Sequence, residues 1–202
     1  MSEAFLVVGL GNPGTEYENT WHNLGFLAID RLGLRNSIRI TRPEARALAG
    51  TGRIGTAEVV LAKPQTFMNL SGSSVGPLCE KYRIAARNVI LLYDELDLPW
   101  TGVRIRPKGS AGGHHGVESV IKALGTQEFP RVRLGIGPDH PVKSGADFVL
   151  SPIRKAQLEE LDELLDYTSA AVESTIAEGV EKAMTKYNRR ARGEKQEASG
   201  EQ

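Results

Sequence analysis

The chain has 202 residues, 40% hydrophobic and 25% charged, which fits one globular core and excludes fibrous or low-complexity classes. Twenty-five basic residues balance 25 acidic ones, so a bulk-basic nucleic-acid binder is excluded while local charge segregation stays open. No apolar run reaches the ~20 residues a bilayer span needs, the N-terminal run lacks the basic flank of a signal peptide, and the lone Cys79 forbids an internal disulfide. A cytoplasmic protein with no membrane association is expected.

In chain order, "AFLVVGL" (4–10) reads as a buried strand ended by Gly-Asn-Pro-Gly. Leu24, Leu27, Ala28 and Leu32 then share one face of a helix that Gly33 is expected to end. "ARALAGTGRIG" and "AEVVLAKP" read as two strands joined by a glycine-containing turn. "SGSSVGPLCEKYRI" suits a short helix capped by a serine, with Gly76-Pro77 counting against it. "NVILLYDELDLP" is the strongest strand pattern, and its acidic cluster is expected where the strand runs out. A strand "GVRIRPKG", a helix over 116–124 and a strand "RVRLGIG" follow. Residues 138–152 read as a loop around a short apolar patch, suited to a lid. Leu158, Leu161, Leu165, Val172, Ile176, Val180, Ala183 and Tyr187 trace one helical stripe over about 154–190. The reading is α/β: a single globular domain (1–192), a twisted mixed β-sheet surrounded by helices, then a polar tail (193–202) expected to be disordered.

Charge is segregated locally. Arg104, Arg106 and Lys108 alternate, as do Arg131 and Arg133, so each set shares a strand face. The stretch 182–195 holds Lys182, Lys186, Arg189, Arg190, Arg192 and Lys195 against Glu194 alone. Solvated faces, or a basic helix end complementing the macrodipole, are the plain alternative to a phosphate-binding surface.

"GLGNPG" (9–14) matches the glycine fingerprint of dinucleotide binding, with Asp30 near the spacing of the ribose-binding acid. Yet "TEYENTW" separates the glycines from the amphipathic pattern, and Asp30 falls inside that helix. The fingerprint needs a helix opening at the glycines to hold a pyrophosphate. No cofactor is expected.

Ligands of open α/β sheets bind beyond the carboxyl ends of strands. Asn12, Met68-Asn69 and Asp94 fall at such ends, His22 opens the first helix, and His114-His115 open a later one behind two glycines. A histidine beside a carboxylate can act as general base, and a side-chain amide can hold a carbonyl oxygen or a water. The set suits hydrolysis of an acyl or ester bond by activated water. No G-x-S-x-G elbow is present, and Cys79 has no histidine nearby in sequence, so covalent catalysis is the weaker choice. Each residue also has an ordinary structural reading: His22 beside a helix cap, Asp94 and Asn12 as turn residues, Met68 as core filler. Adjacent His114 and His115 are poorly placed to share a metal, and no metal is expected.

"GLGNPGTEYENTWHNLGF", "KPQTFMNLSG", "DELDLP", "GGHHG" and "RVRLGIG" occur in the order of the motifs of the bacterial peptidyl-tRNA hydrolases, which the chain resembles over roughly residues 4–190. The resemblance implies a monomeric α/β globule that cleaves the ester between peptide and tRNA after abortive translation, a ribosome-rescue role. It implies His22 as general base, Asp94 as the acid holding it, and Asn12 as the amide that separates N-blocked from free aminoacyl-tRNA. Tyr17, Phe67 and Asn69 match positions contacting the peptide and the tRNA 3′ end, with Met68 packed beside them. Arg106, Lys108 and Arg133 lie where basic residues would clamp tRNA phosphates, and 138–152 corresponds to a lid.

One position departs from the family pattern. Gly-Gly-His-Asn-Gly is usual, so His115 stands in place of a substrate-contacting asparagine, while His114 keeps the family's own histidine. A neutral imidazole nitrogen donates or accepts but does not do both, unlike an amide group. Two other functions remain open at this level. One is a non-catalytic RNA-binding protein on the same fold; the other is a dinucleotide-dependent oxidoreductase.

Overall fold

The computed structural model describes residues 3–188. The expected disordered tail, and the basic positions Arg189, Arg190, Arg192 and Lys195, lie outside the described residues. Strand β1 (Ala4–Gly9) leads through a long loop and a 3-10 turn (Trp21–Asn23) into helix α1 (Leu24–Arg35). Strands β2 (Arg42–Glu44), β3 (Ala47–Ile54) and β4 (Ala57–Pro64) form a meander. A second 3-10 turn (Met68–Leu70) opens α2 (Gly72–Tyr82), followed by β5 (Val89–Pro99) and β6 (Val103–Arg106). Helix α3 (His115–Leu124), β7 (Arg131–Gly137), the short α4 (Gly145–Val149), α5 (Leu158–Glu178) and α6 (Val180–Tyr187) complete the chain.

The seven strands form one mixed sheet in the order β2-β3-β4-β1-β5-β7-β6. Its four central strands are parallel and its edge strands antiparallel. The expected α/β mixed sheet is therefore observed. Central strands are buried on both faces, hence their near-continuous apolar runs. Val7, Ile90, Leu92, Val132 and Leu134 face Leu24, Ile29 and Leu32 of α1 and Leu161, Leu164 and Val172 of α5. The alternate residues Leu6, Val8, Leu91 and Tyr93 face Val75 and Leu78 of α2 and Val117 and Val120 of α3. No helix among the described residues is long and apolar enough to cross a membrane.

Four local expectations are corrected. Gly33 lies inside α1 and does not end it: lacking a side chain, it admits the returning Ile38, whose N–H bonds the Gly33 carbonyl at 2.8 Å. No serine side chain caps α2; Ser71 Oγ turns back to the Met68 carbonyl (2.7 Å), and the Gly72 N–H reaches Ser119 Oγ on α3 (2.9 Å). Strand β5 does not run out at the acidic cluster but continues to Pro99 with an irregularity beyond Glu95. The C-terminal stripe is two helices, because Gly179 at φ +90° breaks it, and Leu158 at its start is exposed.

The glycines of the N-terminal loop serve packing. A Cβ on Gly9 would lie 2.0 Å from the Gly25 carbonyl oxygen, and one on Gly25 would lie 2.4 Å from Leu10 N and O. Helix α1 thus sits directly on the end of β1, and Asp30 pairs with Lys63 Nζ at 2.7 Å. Gly25→Ala is expected to cost more than about 3 kcal/mol, because the clash is with backbone on both sides. Urea denaturation checks it, and a loss under about 1 kcal/mol would refute the close-packing reading.

Candidate active site

Four parallel strands bring their carboxyl ends to one edge of the sheet, where a cleft of about 660 Å³ opens. The loop after β1 supplies Asn12, the turn after β4 supplies Phe67, Met68 and Asn69, and β5 supplies Asp94, Glu95, Leu96 and Asp97. His22 enters from the 3-10 turn before α1, Gly112 to His115 from the start of α3, and Gly145, Ala146, Val149 and Leu150 from α4 and its end.

Asp94 is the centre. Its carboxylate is almost fully buried and lies 2.9 and 3.0 Å from His22 Nδ1 and 3.0 Å from His114 Nε2. Burial opposes its ionisation, but the two imidazoles outweigh burial and hold Asp94 well below the usual carboxylate range. An ionised carboxylate only accepts, so each facing ring nitrogen carries its proton. In the neutral ring of His22 the nitrogen without a proton is then Nε2.

His114 is fixed from its other side as well. It is the N-cap of α3, and its Nδ1 accepts the N–H groups of Gly116 (3.2 Å) and Val117 (3.4 Å). A nitrogen that accepts two amides carries no proton, so the ring proton of His114 sits on Nε2, facing Asp94. Gly112 and Gly113, at φ +57° and +82°, make the left-handed bend that delivers it.

Asn12 is oriented with equal definition. Its Oδ1 accepts the Met68 N–H at 2.8 Å, which leaves the amide NH₂ as the end able to donate into the cleft. Asn23, next to His22, locks the same loop: its Oδ1 accepts the Asn12 N–H (2.8 Å) and its Nδ2 donates to the Asn12 carbonyl (2.9 Å).

Of the residues singled out from sequence, Asn12, His22, Phe67, Met68, Asn69, Asp94 and His115 line the cleft together. Phe67 and Asn69 are exposed at its rim and Met68 is buried. His115 points outward, its side chain 77% exposed and Nδ1 3.6 Å from Glu118 Oε2. Tyr17 is not in the lining; it is half-buried in the preceding loop, where its carbonyl accepts Thr20 Oγ1. Arg106, Lys108 and Arg133 also lie outside it, on and beyond the β6–β7 edge, where Arg104 is paired with Arg133 and Arg106 with Arg131. Lys108 lies 3.4 Å from Glu128, and Arg133 lies 3.6 Å from Glu95. Arg131 leaves the basic face altogether. It is wholly buried, stacks 4.3 Å over the Phe129 ring and donates to the Ser110 and Gln127 carbonyls.

Sequence reasoning missed Asn23, Glu95, Asp97 and the structural duty of His114. A signal for the last was present, since a polar residue behind two glycines and before an apolar helix occupies an N-cap position. His22, Asp94 and His114 place donor atoms within 4.8 Å of one another, a spacing that would suit a metal ion. Their hydrogen bonds argue otherwise: His114 Nε2 would have to lose its proton to a metal and Nδ1 gain one against two backbone N–H groups.

Among the described residues, those lining the cleft include no serine, threonine or cysteine. Cys79 lies in the core, where burial pushes its thiol up to about 11. Fold and site together define a class: an α/β domain with a histidine–aspartate pair and an oriented amide at its parallel strand ends and, among the described residues lining the cleft, no hydroxyl or thiol side chain. Comparison with known proteins narrows this. The family model described as peptidyl-tRNA hydrolase matches residues 6–197. A peptidyl-tRNA hydrolase of Solibacter usitatus is 57% identical over 189 residues, covering 94% of this chain and 96% of the relative. One from Koribacter versatilis is 48% identical over 197 residues, covering 97% of each. The crystal structure of peptidyl-tRNA hydrolase from Acinetobacter baumannii superposes with a TM-score of 0.86 at 32% identity, covering 95% and 98% of the two chains. The chain belongs to the peptidyl-tRNA hydrolase family and is by that membership a hydrolase.

The buried carboxylate makes stability pH-dependent. With its folded pKa depressed, Asp94 contributes stability that is fully present above the ordinary carboxylate range and is lost as pH falls through and below it. Urea denaturation at about pH 6 and about pH 3.5 is expected to show a larger loss for wild type than for Asp94→Asn. Equal losses would show that Asp94 is not preferentially ionised in the fold.

Proposed function

We propose that the chain hydrolyses the ester joining a peptide to tRNA by direct attack of water, with His22 as general base. The observation that carries this is the hydrogen bond from His22 Nδ1 to buried Asp94 in a cleft whose lining offers no hydroxyl or thiol nucleophile.

In this reading His22 Nε2 takes a proton from water as its oxygen attacks the ester carbonyl, and Asp94 stabilises the imidazolium that forms. The tetrahedral intermediate places negative charge on the former carbonyl oxygen, and the Asn12 amide NH₂ is the donor available to it or to the blocked α-amide. Collapse breaks the bond to the ribose oxygen, which takes the proton back from His22. Peptide acid and tRNA leave, and the histidine is again neutral. Phe67, Met68 and Asn69 form the wall for the peptide and the tRNA 3′ end, with Tyr17 reached outside the lining. His115 stands at the rim, where a protonated ring would meet Glu118 before any phosphate. Arg106, Lys108 and Arg133 flank the cleft along the β6–β7 edge as the phosphate-binding side, and the segment 138–152 covers the opening. We further infer a monomer acting in the cytoplasm.

Hydrolysis of an N-acetylated aminoacyl-tRNA beside its unblocked form tests the chemistry. Wild type is expected to cleave the blocked ester selectively, and His22→Ala to lose at least about 10²-fold in kcat, as for removal of a general base. Full activity in a folded His22→Ala would overturn the assignment; absence of cleavage with tRNA still bound would favour a non-catalytic RNA-binding protein.

The basic edge has its own test. Arg106→Ala is expected to raise KM for the tRNA substrate and reduce the salt dependence of binding by about one ion. Hydrolysis of short ester fragments lacking the tRNA body should be unchanged, and equal loss on both substrates would sink the phosphate assignment.

A further inference from the structure

The residue before His22 is a buried tryptophan in contact with two other aromatic rings. Trp21 stacks on Phe148 of α4, with centroids 5.8 Å apart and planes 12° apart, and meets Trp100 edge-on at 5.0 Å. Trp100, in the turn after β5, is held in place by α5, its Nε1 donating to Glu160 Oε2 at 2.5 Å. The backbone repeats the linkage. Residues 151–153 run beside 19–21: Trp21 N–H bonds the Ser151 carbonyl (3.2 Å), Ile153 N–H bonds the Asn19 carbonyl (2.8 Å), and Thr20 bridges Pro152.

The segment over the cleft is thus joined to the turn that presents His22, and Phe148 is its side-chain contact with that turn. On its other side the same short helix sends Gly145, Ala146, Val149 and Leu150 to the cleft. A substrate pressing on those residues acts on α4, and α4 acts on Trp21. The 3-10 turn Trp21–Asn23 is too short to absorb displacement: His22 is its middle residue, and Asn23 is bonded to the Asn12 loop.

We propose that Trp21 and Phe148 are positioning residues for the hydrolysis: their stack couples the seating of α4 over the cleft to the placement of His22 against Asp94 and the substrate. This rests on the reading of His22 as general base, and it extends that reading from the reacting atoms to the element above them. Trp21 touches neither substrate nor reacting atoms in this account; it acts through His22.

Half-buried Phe148 is the variant least exposed to folding failure, and Trp21→Phe is the conservative one. For the N-acetylated aminoacyl-tRNA, Phe148→Ala is expected to lower kcat by about tenfold or more while KM stays within about twofold, since misplacing a catalytic group by about 1 Å costs up to about 10²-fold. Trp21→Phe, which keeps a ring to stack, should retain most of kcat. The chain holds only two tryptophans, so in a Trp100→Phe background the emission of Trp21 reports the stack, and Phe148→Ala should shift it to the red. ¹⁵N spectra of the His22 ring give a readout that needs no turnover: the Nδ1–H signal should persist in Trp21→Phe and broaden in Phe148→Ala. Unchanged kcat with shifted emission, a rise in KM alone, an unmoved His22 signal, or unshifted emission would each overturn the coupling. Failure of the base assignment shows separately, as an active His22→Ala.

Discussion

A carboxylate removed from water and surrounded by imidazole N–H groups is the constraint on which the site depends. Burying the Asp94 charge alone costs several kcal/mol. Charge-assisted hydrogen bonds of roughly 1.5–3 kcal/mol each offset that cost when they come from both sides, as they do here from His22 and His114. The arrangement is reciprocal. An ionised Asp94 requires a proton on each facing nitrogen, and that requirement chooses the His22 tautomer whose Nε2 is basic. His114 is held to the same rule by the α3 amides at its far side, so both of its ring nitrogens are engaged while the His22 ring is bonded to Asp94 through Nδ1. The positive end of the α3 dipole, one residue away, adds to the stabilisation of the carboxylate.

Such a centre requires its supporting loops to come unusually close. Helix α1 rests on the end of β1 because Gly9 and Gly25 have no side chains to separate them. That approach places His22 over β5, and the Asn12–Asn23 pair of reciprocal bonds fixes the loop around it. Asn12 Oδ1 accepts the Met68 N–H, so the amide's donor end is determined by backbone chemistry. A glycine pattern that resembles a pyrophosphate loop thus has another cause, since Gly9 admits the Gly25 backbone and Gly11 the Phe26 ring.

The sheet and the identities of the cleft residues were legible in the sequence for different reasons. Central strands read as apolar runs because both faces are covered, and the strand-end rule gathered Asn12, Asn69 and Asp94. What stayed illegible depended on partners distant in sequence. Arg131 and Arg133 alternate as two residues of one face should, but Phe129 and the Ser110 and Gln127 carbonyls enclose the first while the second stays partly exposed, which a local pattern does not reveal. Gly179 divides a stripe that periodicity alone carries through, because only a φ of +90° marks the break. Trp21 reads as one more core aromatic until Phe148 and Trp100 are seen against it.

The cleft separates its tasks by polarity. Phe67, Val149 and Leu150 present apolar surface on the β4 and α4 sides, Asp94 lies buried between them, and Arg133 on β7 and Arg106 on β6 lie outside the lining. An anionic polymer drawn to the β6–β7 edge meets Glu95 first only where Arg133 already faces it at 3.6 Å. The cleft lining carries Asp94, Glu95 and Asp97 and no lysine or arginine, so attraction for an anion is left to the β6–β7 side. This matters for the proposed pair of His22 and Asp94, because a phosphate close to Asp94 would raise the cost of its charge, while a free arginine there would compete with His22 for it. Keeping strong cations and the buried carboxylate on separate strands would let the proposed phosphate binding draw on electrostatics without disturbing the tautomer on which the proposed chemistry rests.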